Sequence, residues 1–97
     1  MKRQLRVLIV DDDPNWIETL TPMLDDLYDL SVASTASEAL EILRNVRSAS
    51  SYIDVAIVDQ RLGEASGIEV IAELLVLQPG LPCIILTAFP GLSLIHI

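Results

Sequence analysis

Three short apolar runs limit this chain to a small set of folds. Leu5-Arg6-Val7-Leu8-Ile9-Val10, Ile53 to Val58 and Cys83-Ile84-Ile85-Leu86 are too short for helices and largely unbroken by polar residues. Strands that are continuously apolar, as opposed to alternating, belong to parallel sheets covered on both faces. Each run also ends on a polar group: Asp11-Asp12-Asp13 after the first, Asp59 after the second, Thr87 after the third. If the runs are parallel neighbours, all three polar ends emerge on one edge of the sheet.

The segments between them read as helices. Asp13-Pro14 supplies a capping acid followed by proline at the first helical position. Ile17, Leu20, Leu24 and Leu27 recur at helical spacing and are expected to face the core. Pro22 interrupts that helix and predicts a kink. A short strand over about Leu30 to Ala33 follows. Thr35-Ala36-Ser37-Glu38 then has capping-box spacing and opens a helix with Ala39, Leu40 and Leu43 inward. This helix fades into the polar loop Arg47-Ser48-Ala49-Ser50-Ser51. After Asp59 comes a loop from Gln60 to Gly67 with two glycines, then a helix expected to place Ile68, Ile71, Ala72 and Leu75 on one face. Gln78-Pro79-Gly80 stops it, and Pro82 leads into the fourth strand. Strands alternating with amphipathic helices through right-handed crossovers imply a three-layer α/β sheet. Ligands in such sheets bind outside the carboxyl ends of the strands, where the strand order reverses. The acids are at those ends.

Composition narrows the partners. Ninety-seven residues allow one small domain, and the net charge of −8, from fourteen acids against six bases, speaks against direct contact with nucleic acid. No apolar stretch approaches the length of a membrane span, and Met1-Lys2-Arg3-Gln4 leads straight into a strand without a signal-peptide pattern. The lone Cys83 lies inside an apolar run and reads as a buried, reduced core residue. A cytoplasmic protein is expected.

Asp11, Asp12 and Asp59 carry the chemistry. Mg²⁺ prefers oxygen ligands and takes one or two carboxylates from a protein while keeping several waters. Without a cation the acids should repel and raise one another's pKa. An aspartate carboxylate can also attack phosphorus, and the protein's part in phosphoryl transfer is mainly positioning and charge neutralisation. Each residue has a plainer role. Asp13 before Pro14 reads as a helix cap more than a ligand, Asp11 and Asp12 serve equally well as turn residues, Asp59 as a loop cap, and Thr87 as a strand-end hydroxyl. Their joint placement at successive strand ends favours a phosphoacceptor site.

The chain resembles the receiver domain of two-component response regulators. Val7-Leu8-Ile9-Val10-Asp11-Asp12-Asp13-Pro14 is similar to that family's first strand and acid pair. Val55-Ala56-Ile57-Val58-Asp59 is similar to the strand ending in the phosphoacceptor, with Gly67 at the usual distance beyond. Ile84-Ile85-Leu86-Thr87-Ala88 is similar to the strand carrying the Thr-Ala or Ser-Ala pair. The resemblance covers about residues 5 to 91. It implies a flavodoxin-like parallel sheet in the order 2-1-3-4-5. It also implies phosphorylation of Asp59 by a sensor histidine kinase or phosphotransfer protein, with Mg²⁺ held by Asp11, Asp12, Asp59 and the Arg61 carbonyl, and Thr87 contacting the phosphoryl group. Such a domain assists its own phosphorylation and dephosphorylation and turns over no separate substrate.

The chain departs from that family at several points. Gly63 stands where members often have proline, which should loosen the loop after Asp59. Arg61 and Phe89 fall where members tune phosphoryl lifetime, and the bulky Phe89 is expected to slow attacking water. Ala88-Phe89-Pro90-Gly91 should open another helix, but Leu92-Ser93-Leu94-Ile95-His96-Ile97 follows, which matches one reading frame of a common sequencing-library transposon end. Residues 92–97 are therefore expected to be a non-native, adaptor-derived tail outside an incomplete receiver fold. That fold would lack the fifth strand with its lysine and the last two helices. The fourth strand should then be an unpaired edge, and the isolated chain poorly soluble or only loosely folded and at best weakly phosphorylated. The main alternative is a receiver-like interaction module that is never phosphorylated. A phosphohydrolase of the haloacid-dehalogenase type is disfavoured because Arg61 occupies the position of its general acid. A flavodoxin is disfavoured because acids fill the loop that would hold phosphate.

Overall fold

The structure is a computed structural model, and it describes residues 4–63, 65–87 and 93–96. The elements run β1 (Arg6–Val10), α1 (Pro14–Leu24), β2 (Asp29–Ala33), α2 (Ala36–Ser48), β3 (Val55–Asp59), β4 (Arg61–Leu62), β5 (Ala65–Ser66), α3 (Gly67–Leu77), β6 (Cys83–Thr87) and β7 (Ser93–His96). The main sheet has the order β2-β1-β3-β6-β7, and its first four strands are parallel. This is the expected flavodoxin-like arrangement of α/β layers.

Strand order decides which helix lies on which face. The chain moves from β1 one way to β2, then back across β1 to β3 and on to β6. Right-handed crossovers therefore put α1 on one face and α2 with α3 on the other. The α2–α3 face holds the main core. Leu8, Val10, Ala56, Val58, Cys83 and Ile85 of the sheet pack there with Ala39, Leu43, Val70, Ile71 and Leu74 of the helices. Val7 and Ile9 point the other way and are also buried.

The helix starts follow the sequence closely. The Asp13 side chain caps α1 by accepting from the N–H groups of Asn15 and Trp16, with Pro14 in the first turn. Thr35 caps α2 by accepting from the N–H of Glu38 at 3.1 Å. The Glu38 carboxylate reaches back to Ser34, taking its N–H at 3.2 Å and its hydroxyl at 3.1 Å, one residue earlier than a standard capping box would place it.

Two helix faces differ from expectation. The first helix ends at Leu24, two residues past Pro22, so Leu27 lies beyond it and is 63% exposed. Ile17, Leu20 and Leu24 are half-buried, and no residue of α1 is fully buried. In α3 the buried residues are Gly67, Val70, Ile71 and Leu74, whereas Ile68 is exposed, as is Ala72, and Leu75 is half-buried. Only Glu69 and Glu73 interrupt this helix, so helical spacing fits more than one face.

The largest difference is at the far edge of the sheet. Residues 93–96, expected to lie outside the fold, pair antiparallel with β6, matching Ile84 with His96 and Thr87 with Ser93. The fourth parallel strand is thus not an unpaired edge. A bare edge strand offers a row of unsatisfied N–H and C=O groups, and the following segment returns to satisfy them. Ala88 to Leu92, including Phe89 and the start of the expected next helix, lie outside the described residues.

Candidate functional site

Register brings the acids together. Val10 pairs with Val58 between β1 and β3, so Asp11 and Asp59 leave the sheet side by side. Asp11 extends the ladder by donating its N–H to the Ala33 carbonyl at 3.0 Å, which seats it at the meeting of β1, β2 and β3. Asp12 follows in the loop toward α1. One ligand oxygen from each of Asp11, Asp12 and Asp59 lies within 4.8 Å of the others. Asp11 is buried at 5% exposure, Asp59 is half-buried and Asp12 is exposed.

The three carboxylates are held differently. Asp11 Oδ1 accepts from the N–H of Asp13 at 2.9 Å. Asp59 Oδ1 accepts a longer bond from the N–H of Arg61 at 3.4 Å. Asp12 Oδ2 accepts from the N–H of Gly63 at 3.0 Å across 51 residues of sequence. Burial pushes the Asp11 carboxyl up to about 6, opposed by the Asp13 N–H and reinforced by the charges of Asp59, Asp13 and Asp12. Repulsion among the acids was the expected cause of such a shift; at Asp11 desolvation is the larger one.

Thr87 ends β6 next to β3. Asp59 pairs with Leu86, so Thr87 stands one residue beyond the level of Asp59 on the adjacent strand, buried at 4% exposure. Asp13 belongs to the α1 cap and is absent from the carboxylate cluster, as its position before Pro14 implied.

The loop after Asp59 is more ordered than expected. Residues 61–62 and 65–66 form a small antiparallel pair, Arg61 with Ser66 and Leu62 with Ala65. Gly63 turns the chain between them with φ of 61°, a left-handed conformation closed to proline. The residue expected to loosen this loop is the one that makes its turn and ties it to Asp12. Gly67 closes the other end. A Cβ on Gly67 would lie 2.5 Å from the Asp59 carbonyl oxygen, so only glycine lets α3 start this close to the phosphoacceptor candidate's backbone. The Gly67 N–H also donates to the Gln60 carbonyl at 2.8 Å. The sequence shows both glycines but neither approach, because one is to a side chain 51 residues away and the other to backbone across a turn.

The donor set is all oxygen, drawn from two strand ends and one loop, and it suits a hard divalent cation such as Mg²⁺. The sequence profile described as "Response regulator receiver domain" matches residues 7–95. This chain belongs to that family. Among curated proteins, the transcriptional regulatory protein GlrR of Escherichia coli K12 is 36% identical over 83 residues, covering 84% of this chain and 18% of that protein. This receiver thus spans about a fifth of the length of such relatives. Among solved structures, a CheY-like receiver domain protein from Methanospirillum hungatei JF-1 superposes with a TM-score of 0.76 at 28% identity, covering 91% of this chain and 67% of that one. A response regulator from Burkholderia pseudomallei, with a phosphorylated aspartic acid, calcium ion and citrate, gives 0.72 at 28% identity, covering 90% of this chain and 49% of that one. The receiver is a signalling module of two-component systems. Among the described residues, no helix is long and apolar enough to cross a membrane.

Proposed function

We propose that this receiver accepts a phosphoryl group on Asp59 from a sensor histidine kinase or phosphotransfer protein, assisted by Mg²⁺. The observation that carries the reading is the convergence of Asp11, Asp12 and Asp59 oxygens within 4.8 Å at the carboxyl edge of the sheet, with the Asp59 side chain only half-buried. Asp11, Asp12 and Asp59, with the Arg61 carbonyl, would hold the cation, which supplies charge neutralisation for the phosphoryl oxygens.

Asp59 acts as nucleophile. An Asp59 carboxylate oxygen forms a bond to phosphorus as the bond from phosphorus to the donor imidazole nitrogen breaks, and the electron pair leaves with the imidazole. Asp11 sits beside it on β1 and adds negative charge, so the bare triad repels an incoming phosphoryl group until that charge is offset. Thr87, one residue further along on β6, supplies a hydroxyl to a phosphoryl oxygen and passes the event to the segment after the strand. A new charge at Asp59 shifts the population between two conformers of the domain. Regulation of transcription, which the Escherichia coli relative is named for, is the output this receiver would control in a longer protein.

The test is phosphorylation of the chain by acetyl phosphate or a phosphorylated kinase domain, followed by intact mass. One phosphoryl adduct is expected in the presence of MgCl2, absent in Asp59→Asn and absent with excess chelator. An Mg²⁺-independent adduct would remove the cation from this reading, and no adduct with any donor would instead favour a receiver that works by protein contact alone.

A further inference from the structure

Each of the three clustered carboxylates accepts one backbone N–H, but the donors differ in kind. Those of Asp11 and Asp59 come from two residues downstream, in turns that the strand ends make on their own. That of Asp12 comes from Gly63, on the far side of the cluster. Asp12 is also the exposed member of the three, the one whose side chain would otherwise be unconstrained.

Two features make Gly63 suited to this. Its φ of 61° is a conformation that glycine adopts without strain. Leu62, directly before it, is paired with Ala65 of the small β4–β5 pair, and this constrains the direction of its N–H. No atom lies within 4 Å of where a Cβ would stand, so packing does not demand glycine there and the backbone conformation does.

We infer that Gly63 is a positioning residue for the divalent cation: its N–H holds the Asp12 carboxylate facing Asp11 and Asp59, and cation binding is thereby coupled to Gly63 and the β4–β5 pair. This rests on the metal-assisted reading proposed above. A carboxylate has about four lone-pair positions, so one N–H leaves ample capacity for a cation. Fixing the side chain beforehand removes part of the ordering cost of binding. In return, a cation drawing charge from Asp12 changes the bond to Gly63, so the turn senses occupancy.

The experiment is a calorimetric MgCl2 titration of the full chain and two variants, with the residue-63 amide followed by NMR in the unsubstituted protein. Gly63→Asn tolerates positive φ and keeps the N–H, and its affinity should stay within about twofold. Gly63→Pro lacks the N–H and cannot adopt the turn, and its affinity should fall by about three- to tenfold, the range of one modest hydrogen bond. The Gly63 amide resonance should move with the same midpoint as the heat of binding. Equal affinity for Gly63→Pro, or a Gly63 amide unmoved by saturating MgCl2, overturns the inference and leaves the metal-assisted reading standing. Failure of the unsubstituted chain to bind Mg²⁺ removes both. The amide measurement needs no variant, so it decides the matter even if Gly63→Pro does not fold.

Discussion

The two faces of the sheet are built to different standards. On one side α2 and α3 bury Leu43, Val70, Ile71 and Leu74 against four strands, each at 3% exposure or less. On the other, α1 has no fully buried residue, and Val55, Ile57, Ile84 and Leu86 of the sheet are half-buried. Both helix layers are apolar enough in sequence. The difference is coverage: two helices side by side shield each other's flanks, whereas one helix leaves both of its flanks wet. Burial in a sheet of this kind depends on the neighbour as much as on the residue. Folding free energy is therefore concentrated on the α2–α3 side, while the Asp13 cap that opens α1 belongs to the loop carrying the acids.

Truncation on the two faces should expose this asymmetry most visibly. Leu74→Ala, at a residue with no exposure, should cost about 2–5 kcal/mol, enough to unfold much of the population of a small domain. Urea titration reads it directly, and a loss under 1 kcal/mol would contradict a core centred on that face. Gly67→Ala comes next. The added methyl would meet the Asp59 carbonyl at 2.5 Å, and relieving that contact should cost about 1–3 kcal/mol. The same substitution should shift the Asp59 and Gln60 amide resonances, a local effect that Leu74→Ala lacks.

A third effect is electrostatic. Burial raises Asp11 from 3.8 to about 6 in the folded chain, so the folded state keeps a proton that the unfolded chain releases. In metal-free protein this contribution to stability is present in full below the unfolded value and is lost as pH rises through the folded one, from about 3.8 to about 6. Asp11→Asn should flatten that slope and stabilise the metal-free chain at neutral pH by on the order of 2 kcal/mol. Denaturation midpoints taken across this pH range, with chelator throughout, provide the check; a steeper slope in the variant would reverse the assignment. The smallest effect is expected on the open face. Leu20→Ala on half-buried α1 should cost about 1 kcal/mol, well below Leu74→Ala in the same urea series.

Much of this was legible in the chain. Unbroken apolar runs such as Val7 to Val10 identify parallel strands, and Asp13-Pro14 and Thr35 mark helix starts that the structure keeps almost to the residue. The meeting of Asp11, Asp12 and Asp59 follows from strand ends once the strands are taken as neighbours. What escaped had a common cause. The rotation of α3 is set by Gly67 against the Asp59 backbone, a tertiary contact that periodicity cannot see in a helix apolar nearly all round. Leu27 falls outside α1 because the helix stops soon after Pro22, although the leucine spacing continues. Pairing of residues 93–96 with β6 depends on an edge seeking partners, a property of the assembled sheet and not of the segment itself.

Gln78 lies buried just past α3, where its side-chain amide donates to the Ile53 carbonyl at 2.8 Å and accepts the Ile53 N–H at 2.9 Å. One primary amide thus copies the two-way exchange that a strand neighbour would make. The bond joins the foot of β3 to the end of α3, so neither can open without the other. In hydrogen exchange, Ile53 should be as slow as the centre of the sheet although it belongs to no strand, because its amide is released only when that whole unit opens. Replacing the side-chain NH2 with oxygen, as in Gln78→Glu, would change hardly any volume and yet set two acceptors face to face, turning a joint that opens only with its whole unit into one that lets water in early.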